Sequence, residues 1–229
     1  MYKNKKILAI VPARGGSKGI KNKNLKKIKG KSLLKILFEI SSKSKLIDNI
    51  VLSSDSEKIK NHSREIGYEI LFTRPKKLSG DKVPDMPVLR HALIKSEKIL
   101  KKKFDLILML QVTSPLRKNE YINKVVKKII DKGYDSVWTI SKVDRKFHPD
   151  KQLIINNRKL NYFTKNGKNI IARQQLNQTY SRNGAVYGFT RKCILNKKLL
   201  TNNSSFIITK SKQLSIDTIS DLKLAAKFF

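Results

Sequence analysis

Ile7-Leu8-Ala9-Ile10-Val11-Pro12-Ala13-Arg14-Gly15-Gly16-Ser17-Lys18-Gly19-Ile20-Lys21-Asn22-Lys23-Asn24-Leu25 joins an apolar run of strand length to a loop rich in glycine and cations. Glycines let backbone N–H groups approach a polyphosphate closely, and Arg14, Lys18 and Lys23 can neutralise it. In open α/β sheets ligands bind beyond the carboxyl ends of strands, so this loop is the first place to look for a site.

Outward from it, short apolar runs alternate with helix-length amphipathic ones, the pattern of a largely parallel sheet with crossover helices. Strands are expected near residues 6–11, 49–53, 68–72 and 106–110, with helices near 32–46, 56–66 and 87–101 between them. Ser54 and Glu57 have the spacing of a capping box, and Gly67 reads as the stop of its helix. A helix near 119–132 leads into a strand near 136–140. Periodicity then weakens, with short β-like pieces at 152–155 and 160–163, so residues 141–182 read as an excursion from the sheet. A strand at 183–190, a short helix at 193–200, a strand at 206–210 and a last helix at about 219–228 complete the pattern. One elaborated domain over residues 1–229 is expected, because no Gly/Ser or Pro tract resembles a linker.

The opening loop has three lookalikes. It lacks the Gly-x-Gly-x-x-Gly order of a dinucleotide fingerprint, and Gly30-Lys31-Ser32 has Leu25 where a P-loop needs its first glycine. Gly15-Gly16-Ser17-Lys18-Gly19 does match the Gly-x-Ser-x-Gly nucleophile elbow of hydrolases. A hydrolase would need an apolar helix after Ser17 and a late histidine, but a cationic loop follows and the last histidine is His148.

The other strand exits carry weaker signals. Arg74-Pro75 through Asp81 offers an arginine that can meet phosphate. Leu110-Gln111-Val112-Thr113-Ser114-Pro115-Leu116-Arg117 offers the Gln111 amide, while Arg117 reads as facing solvent near the next helix. Arg173-Gln174-Gln175 and Arg182-Asn183-Gly184-Ala185-Val186-Tyr187 form a polar stretch entering a strand. Asp217, in Ser215-Ile216-Asp217-Thr218, reads by itself as a helix N-cap, but a carboxylate facing a phosphate loop can instead hold Mg²⁺, which shares carboxylate and phosphate oxygens.

Composition bounds these readings. The 229 residues carry 51 Lys+Arg against 17 Asp+Glu, a net charge of +34, with 39% apolar residues. That charge attracts polyanions. It is mostly lysine spread along the whole chain, however, and aromatic residues are only 7%, so nothing marks a specific nucleic-acid platform. No apolar run approaches the ~20 residues of a membrane span, and Lys3-Asn4-Lys5-Lys6 leads into a first strand rather than a signal peptide. The single Cys193 and three scattered histidines exclude an internal disulfide and zinc-type spacing, and a reducing cytoplasm fits best.

The blocks Pro12 to Ile20 with Lys23-Asn24, Leu110 to Arg117, Asn183 to Tyr187 and Ile216-Asp217-Thr218, in this order across nearly the whole chain, resemble the acylneuraminate cytidylyltransferases, the CMP-sialic acid synthetases. The resemblance implies a Rossmann-like three-layer α/β/α nucleotidyltransferase fold. It implies Mg²⁺-dependent transfer of CMP from CTP to the anomeric hydroxyl of a nine-carbon α-keto acid sugar, with release of pyrophosphate. Ala13, Arg14, Gly15, Ser17, Lys23, Asn24 and Arg74 would then lie along the nucleotide, with Arg14 and Lys23 on its phosphates. Gln111 would face the sugar, Arg173 its carboxylate, Tyr187 would line the pocket and Asp217 would hold the metal. The excursion at 141–182 would serve a homodimer. Legionaminic, pseudaminic or a deoxyoctulosonic acid are the alternative sugars, and a polyanion-binding protein or non-catalytic paralogue the alternative outside this chemistry.

Two departures stand out. Many family members have Asp-x-Asp where this chain has Ser215-Ile216-Asp217, and Lys21-Asn22 stands where they often have a proline, which leaves the loop less rigid. For a general base the candidates are Asp217, a metal-bound hydroxide or Asp55, with metal assistance favoured.

Overall fold

The computed structural model describes residues 2–229. The chain divides into two compact units, one running up to Thr139 and resuming over Asn183–Phe229, the other being Ile140–Arg182. In chain order the first elements are β1 (Ile7–Pro12), β2 (Lys27–Ile28), β3 (Lys31–Ser32), α1 (Leu33–Ser41), β4 (Asn49–Ser53), α2 (Glu57–Glu65) and α3 (Asp85–Leu100). They are followed by β5 (Leu106–Met109), α4 (Asn119–Lys132), β6 (Ser136–Lys142), β7 (Leu153–Asn156), β8 (Lys159–Tyr162), β9 (Tyr180–Thr190), α5 (Arg191–Leu195), β10 (Ser204–Ile208) and α6 (Ile219–Ala226).

The main sheet runs β10-β6-β9-β5-β1-β4. β1 pairs in parallel with β4 and β5, so a continuous apolar run sits at the centre with both faces covered. Ile7, Ala9, Val11, Leu106 and Leu108 point to the face covered by α1 and α4, whose Leu33, Leu34, Leu37, Tyr121, Val125 and Ile129 share one apolar cluster with them. By the two-residue strand period, Leu8, Ile10, Ile107 and Met109 point to the opposite face, where α3 packs on β1 and β4. This is the three-layer α/β/α arrangement. Each fully buried Leu or Ile in it contributes roughly 1.5–3 kcal/mol.

β9 runs antiparallel to β5, with Met109 opposite Tyr187. The reversal brings Asn183 and Gly184 of β9 to the edge where β1, β4 and β5 end. All strand exits that matter for a site therefore lie along one edge.

The expected strand at 68–72 does not form. Only Glu69 makes a bridge, to Val51 of β4. Tyr68 is drawn into the core, its ring on Phe38 and its hydroxyl donating to the Leu34 carbonyl, so the segment turns away after one pairing. The cap of α2 is Ser56, whose Oγ accepts from the Ile59 N–H, rather than the expected Ser54, whose Oγ accepts from the Ser56 N–H. The helix expected at 193–200 is the shorter α5, capped by Thr190 and ended by Lys197 in the left-handed region.

The second unit holds the hairpin β7–β8, paired from Leu153↔Tyr162 to Asn156↔Lys159. Its two turn residues, Asn157 and Arg158, both have positive φ, as a two-residue hairpin turn that follows the strand twist requires. Asp150 accepts from Thr164 Oγ1 and Asn166 Nδ2, closing the unit behind the hairpin. Leu153, Ile155, Leu160, Tyr162 and Phe163 are exposed. No helix among the described residues is long and apolar enough to cross a membrane.

Candidate active site

Beyond the carboxyl ends of β1, β4 and β5 lies a cleft of 570 Å³. Its floor is the loop after β1. Ala13 is buried and donates its N–H to the Ser53 carbonyl, continuing the sheet for one residue. The loop then leaves the sheet and is held in two places. The Gly15 N–H donates to Asp55 Oδ1 at 3.0 Å, and Asn24 Nδ2 donates to the Arg14 carbonyl at 3.0 Å. Asp55 thus anchors the loop.

The cations of the loop do not stand alone. Arg14 pairs with Asp81, and Lys18 Nζ lies 2.7 Å from the other oxygen of the same carboxylate. Hydrogen bonds from Lys18 and Arg14 hold the Asp81 carboxyl below the usual carboxylate range. Lys23 Nζ lies 2.9 Å from Asp217 Oδ1. Arg74 is only 4% exposed; it donates to the Ser53 and Leu78 carbonyls, and its Nε has no partner among the described residues. Burial lowers its pKa, with Asp55 opposing the shift.

The opposite wall is built from the exits of β5 and the segment before α6. The Ile216 N–H donates to the Thr113 carbonyl at 2.8 Å, and buried Ile216 plugs the core, so neighbouring Asp217 faces outward. Asp217 is not the helix cap. Thr218 takes that role in a capping box with Asp221, whose Oδ2 also accepts from the Asp217 N–H. The Asp217 carboxylate is left for the cleft, with Oδ2 accepting from Ser215 Oγ at 3.0 Å. Gly19 packs so closely here that a Cβ would lie 2.7 Å from the Asp217 carbonyl oxygen. The loop and the carboxylate segment fit only because no side chain intervenes.

Of the residues singled out in the sequence, Arg14, Ser17, Lys18, Lys23, Asn24, Arg74, Gln111 and Asp217 line this one cleft, joined by Asp81 and Asp85. Ala13 and Gly15 belong to the same loop but are not among the residues that line the cleft. Tyr187 is buried away from it, its ring on Trp138 and its hydroxyl accepting from the Gly184 N–H. That corrects the expectation of a pocket-lining Tyr187: the β9 register turns the side chain into the sheet packing. Arg173 belongs to the second unit, in a 3₁₀ turn at Arg173–Gln175. Arg117, read as solvent-facing, is instead buried against main-chain carbonyls. Asp81 was visible only as the end of the Arg74 stretch, because nothing in a sequence shows which cations a loop carboxylate will meet.

The three histidines are engaged elsewhere: His62 Nε2 with Ser32 Oγ, His91 against Phe72, and His148 Nδ1 with the Asp150 N–H. Ser17 therefore lacks the imidazole that a nucleophile elbow needs. Among the described residues no group of three or more His, Cys, Asp or Glu is placed to hold a metal alone. Of the three carboxylates in the cleft, Asp81 is held by Arg14 and Lys18, while Asp217 has the neighbouring Ser215 hydroxyl and stands opposite several cations. Mg²⁺ is commonly bound by one or two carboxylates plus substrate phosphates, and this donor set fits a cation shared with a polyphosphate.

The cytidylyltransferase family model matches residues 8–228. The CMP-N,N'-diacetyllegionaminic acid synthase of Campylobacter jejuni is 31% identical over 220 residues, covering 95% of this chain and 92% of that one. The N-acylneuraminate cytidylyltransferase of Escherichia coli is 28% identical over 228 residues, covering 96% of this chain and 51% of that one. Among solved structures, a CMP:2-keto-3-deoxy-manno-octonic acid synthetase complexed with CTP matches with a TM-score of 0.71, at 14% identity, over 97% of this chain and 98% of that one.

Proposed function

Because the chain belongs to the cytidylyltransferase family, we propose that it transfers CMP from CTP to the anomeric hydroxyl of a nine-carbon α-keto acid sugar of the sialic acid class, releasing pyrophosphate. The observation that carries this reading is the convergence of Arg14, Lys18, Lys23, Arg74, Gln111 and Asp217 on one cleft. Transfer of this kind asks a protein mainly for positioning and for neutralising charge on the phosphates.

The sugar hydroxyl oxygen attacks the α-phosphorus, the bond from that phosphorus to the oxygen bridging to the β-phosphate breaks, pyrophosphate leaves and the hydroxyl proton passes to solvent. Arg14, Lys18 and Lys23 neutralise the departing pyrophosphate, and Asp55 keeps the Gly15 N–H and its neighbours in place beneath it. To reach the phosphates, Arg14 and Lys18 must leave Asp81 and Lys23 must leave Asp217, so nucleotide binding exchanges carboxylate partners for phosphate ones. Gln111 contacts the sugar through its amide. Asp217, assisted by Ser215, would hold Mg²⁺ together with the phosphates, where the cation supplies charge stabilisation and in-line alignment.

The legionaminic-acid relative matches over nearly its whole length, the neuraminate relative over about half, which puts legionaminic acid beside sialic acid as acceptor. We assign the exposed apolar hairpin of the second unit to a contact with a second copy of the chain, and the lone thiol Cys193 to a reducing cytoplasm. Pyrophosphate release from CTP, Mg²⁺ and a panel of sialic, legionaminic, pseudaminic and deoxyoctulosonic acids tests the reading. Release that requires CTP and a nine-carbon acid supports it; release with only the eight-carbon acid, or with none, rejects it.

A further inference from the structure

Arg117 is 3% exposed, and its hydrogen-bond acceptors are all main-chain carbonyls: Ala185, Gln111 at 2.6 Å and Gly184 at 3.2 Å. Burial lowers its pKa to about 10, which leaves it charged at neutral pH. A buried guanidinium with only carbonyls to accept its hydrogen bonds, and the Tyr68 and Tyr187 hydroxyls nearby, is a costly way to fill a core, and an apolar side chain would serve packing better. What the guanidinium does, and no apolar residue can, is bind two chain segments at once through a rigid fork of donors. One segment is the exit of β5 that carries Gln111; the other is the bend of β9 at Gly184.

The bend is adapted to the same purpose. Gly184 has φ +69, its N–H donates to the Tyr187 hydroxyl, and Ser114 Oγ donates to the Asn183 carbonyl at 3.1 Å. A Cβ on Gly184 would collide with Gln111 Oε1 and lie 2.6 Å from Ser114 Oγ. The Gln111 amide therefore rests on the bare backbone of Gly184 while Arg117 holds the main chains of both residues.

We propose that Arg117 is a positioning residue for the acceptor sugar: it clamps the β5 exit to the Gly184 bend and so fixes where the Gln111 amide meets the sugar, leaving the CTP side untouched. This rests on the reading above that Gln111 faces the sugar. Lysine keeps the charge but has no planar fork, so Arg117→Lys isolates the clamp from the charge, and Gly184→Ala moves the same amide with Arg117 intact.

Steady-state kinetics and hydrogen–deuterium exchange on the full chain test it. Both variants should raise KM for the sugar about ten-fold or more while KM for CTP stays within about two-fold, a split that general destabilisation does not produce. In Arg117→Lys, amide exchange should quicken over residues 111–117 and 183–187 and stay unchanged over 13–25. An unchanged sugar KM in either variant, or equal increases in both KM values, overturns the proposal. If the unsubstituted protein turns over no acid sugar, the functional reading has failed and the exchange pattern alone decides the clamp: quickening confined to the two segments supports it, and uniform or absent quickening overturns it.

Discussion

Lys23 Nζ stands 2.9 Å from Asp217 Oδ1, an ion pair joining the glycine loop to the segment before the last helix. The two residues are 194 positions apart in sequence. In the proposed reading each partner has a ligand of its own, phosphate for Lys23 and the cation for Asp217, so binding would part the pair.

Replacing the Asp217 carboxylate removes the one acidic group on that wall. Asp217→Asn should lower kcat by about 100-fold or more, the scale of losing one preorganised charge contact in a transition state. The fold should survive, because Thr218 and Asp221 cap α6 without the Asp217 side chain. A kcat within two-fold of the unsubstituted value would remove Asp217 from the machinery.

Ser215 Oγ donates to Asp217 Oδ2 and brings no charge of its own. Ser215→Asp places two carboxylates side by side, which repel each other unless a cation lies between them. The Mg²⁺ concentration for half-maximal rate should fall, and an unchanged Mg²⁺ titration counts against the assignment.

Asp81 pairs with Arg14 and Lys18, the cations proposed for the CTP phosphates, so under that reading it would compete with phosphate for them. Asp81→Asn should lower KM for CTP by about three- to ten-fold at low salt. The carboxyl is held below its ordinary range, so its pairs are present above that range and lost only as pH falls through the depressed value. Between pH 6 and 8 the effect of Asp81→Asn should therefore be constant; a raised KM for CTP would make Asp81 a binding group instead.

Stability has its own test at Glu97, which accepts from Arg191 Nε at 2.8 Å, Arg191 Nη2 at 2.9 Å and the Phe104 N–H at 3.0 Å. Burial raises its pKa, but these donors outweigh burial and the net shift is downward. Glu97→Gln should cost about 1–2 kcal/mol, a few degrees in Tm. Because the folded pKa is depressed, the contribution is full above the unfolded value of about 4.3 and lost as pH falls through the folded one. Thermal melts of the two proteins should converge once pH has fallen below the depressed folded value; a gap that persists at lower pH would show the loss to be packing alone.

Much of this was readable from residue order. The apolar run before Pro12, the strand at Asn49–Ser53 and the helix at Asn119–Lys132 stand where the periodicity places them, because their burial is set by local pattern. Tyr68 to Phe72 has the composition of a strand, yet the fit of the Tyr68 ring on Phe38 decides against it, and no local pattern encodes that contact. Arg117 read as a surface residue because its acceptors are backbone carbonyls, which have no letter in a sequence. Asp217 was readable as a carboxylate before a helix, but that Thr218 would take the cap and leave it to the cleft depends on rotamers. The Arg14 and Lys18 pairs with Asp81 belong to the same class of long-range facts.

Whether this cleft joins CMP to an acid sugar is decided by ³¹P NMR of the full protein incubated with CTP and the acceptor. Expected are one phosphodiester resonance of a CMP–sugar and pyrophosphate in equal amounts, with no orthophosphate. CDP with orthophosphate, or free CMP with pyrophosphate and no sugar conjugate, would show that water rather than the sugar hydroxyl is the acceptor and would contradict the proposed transfer.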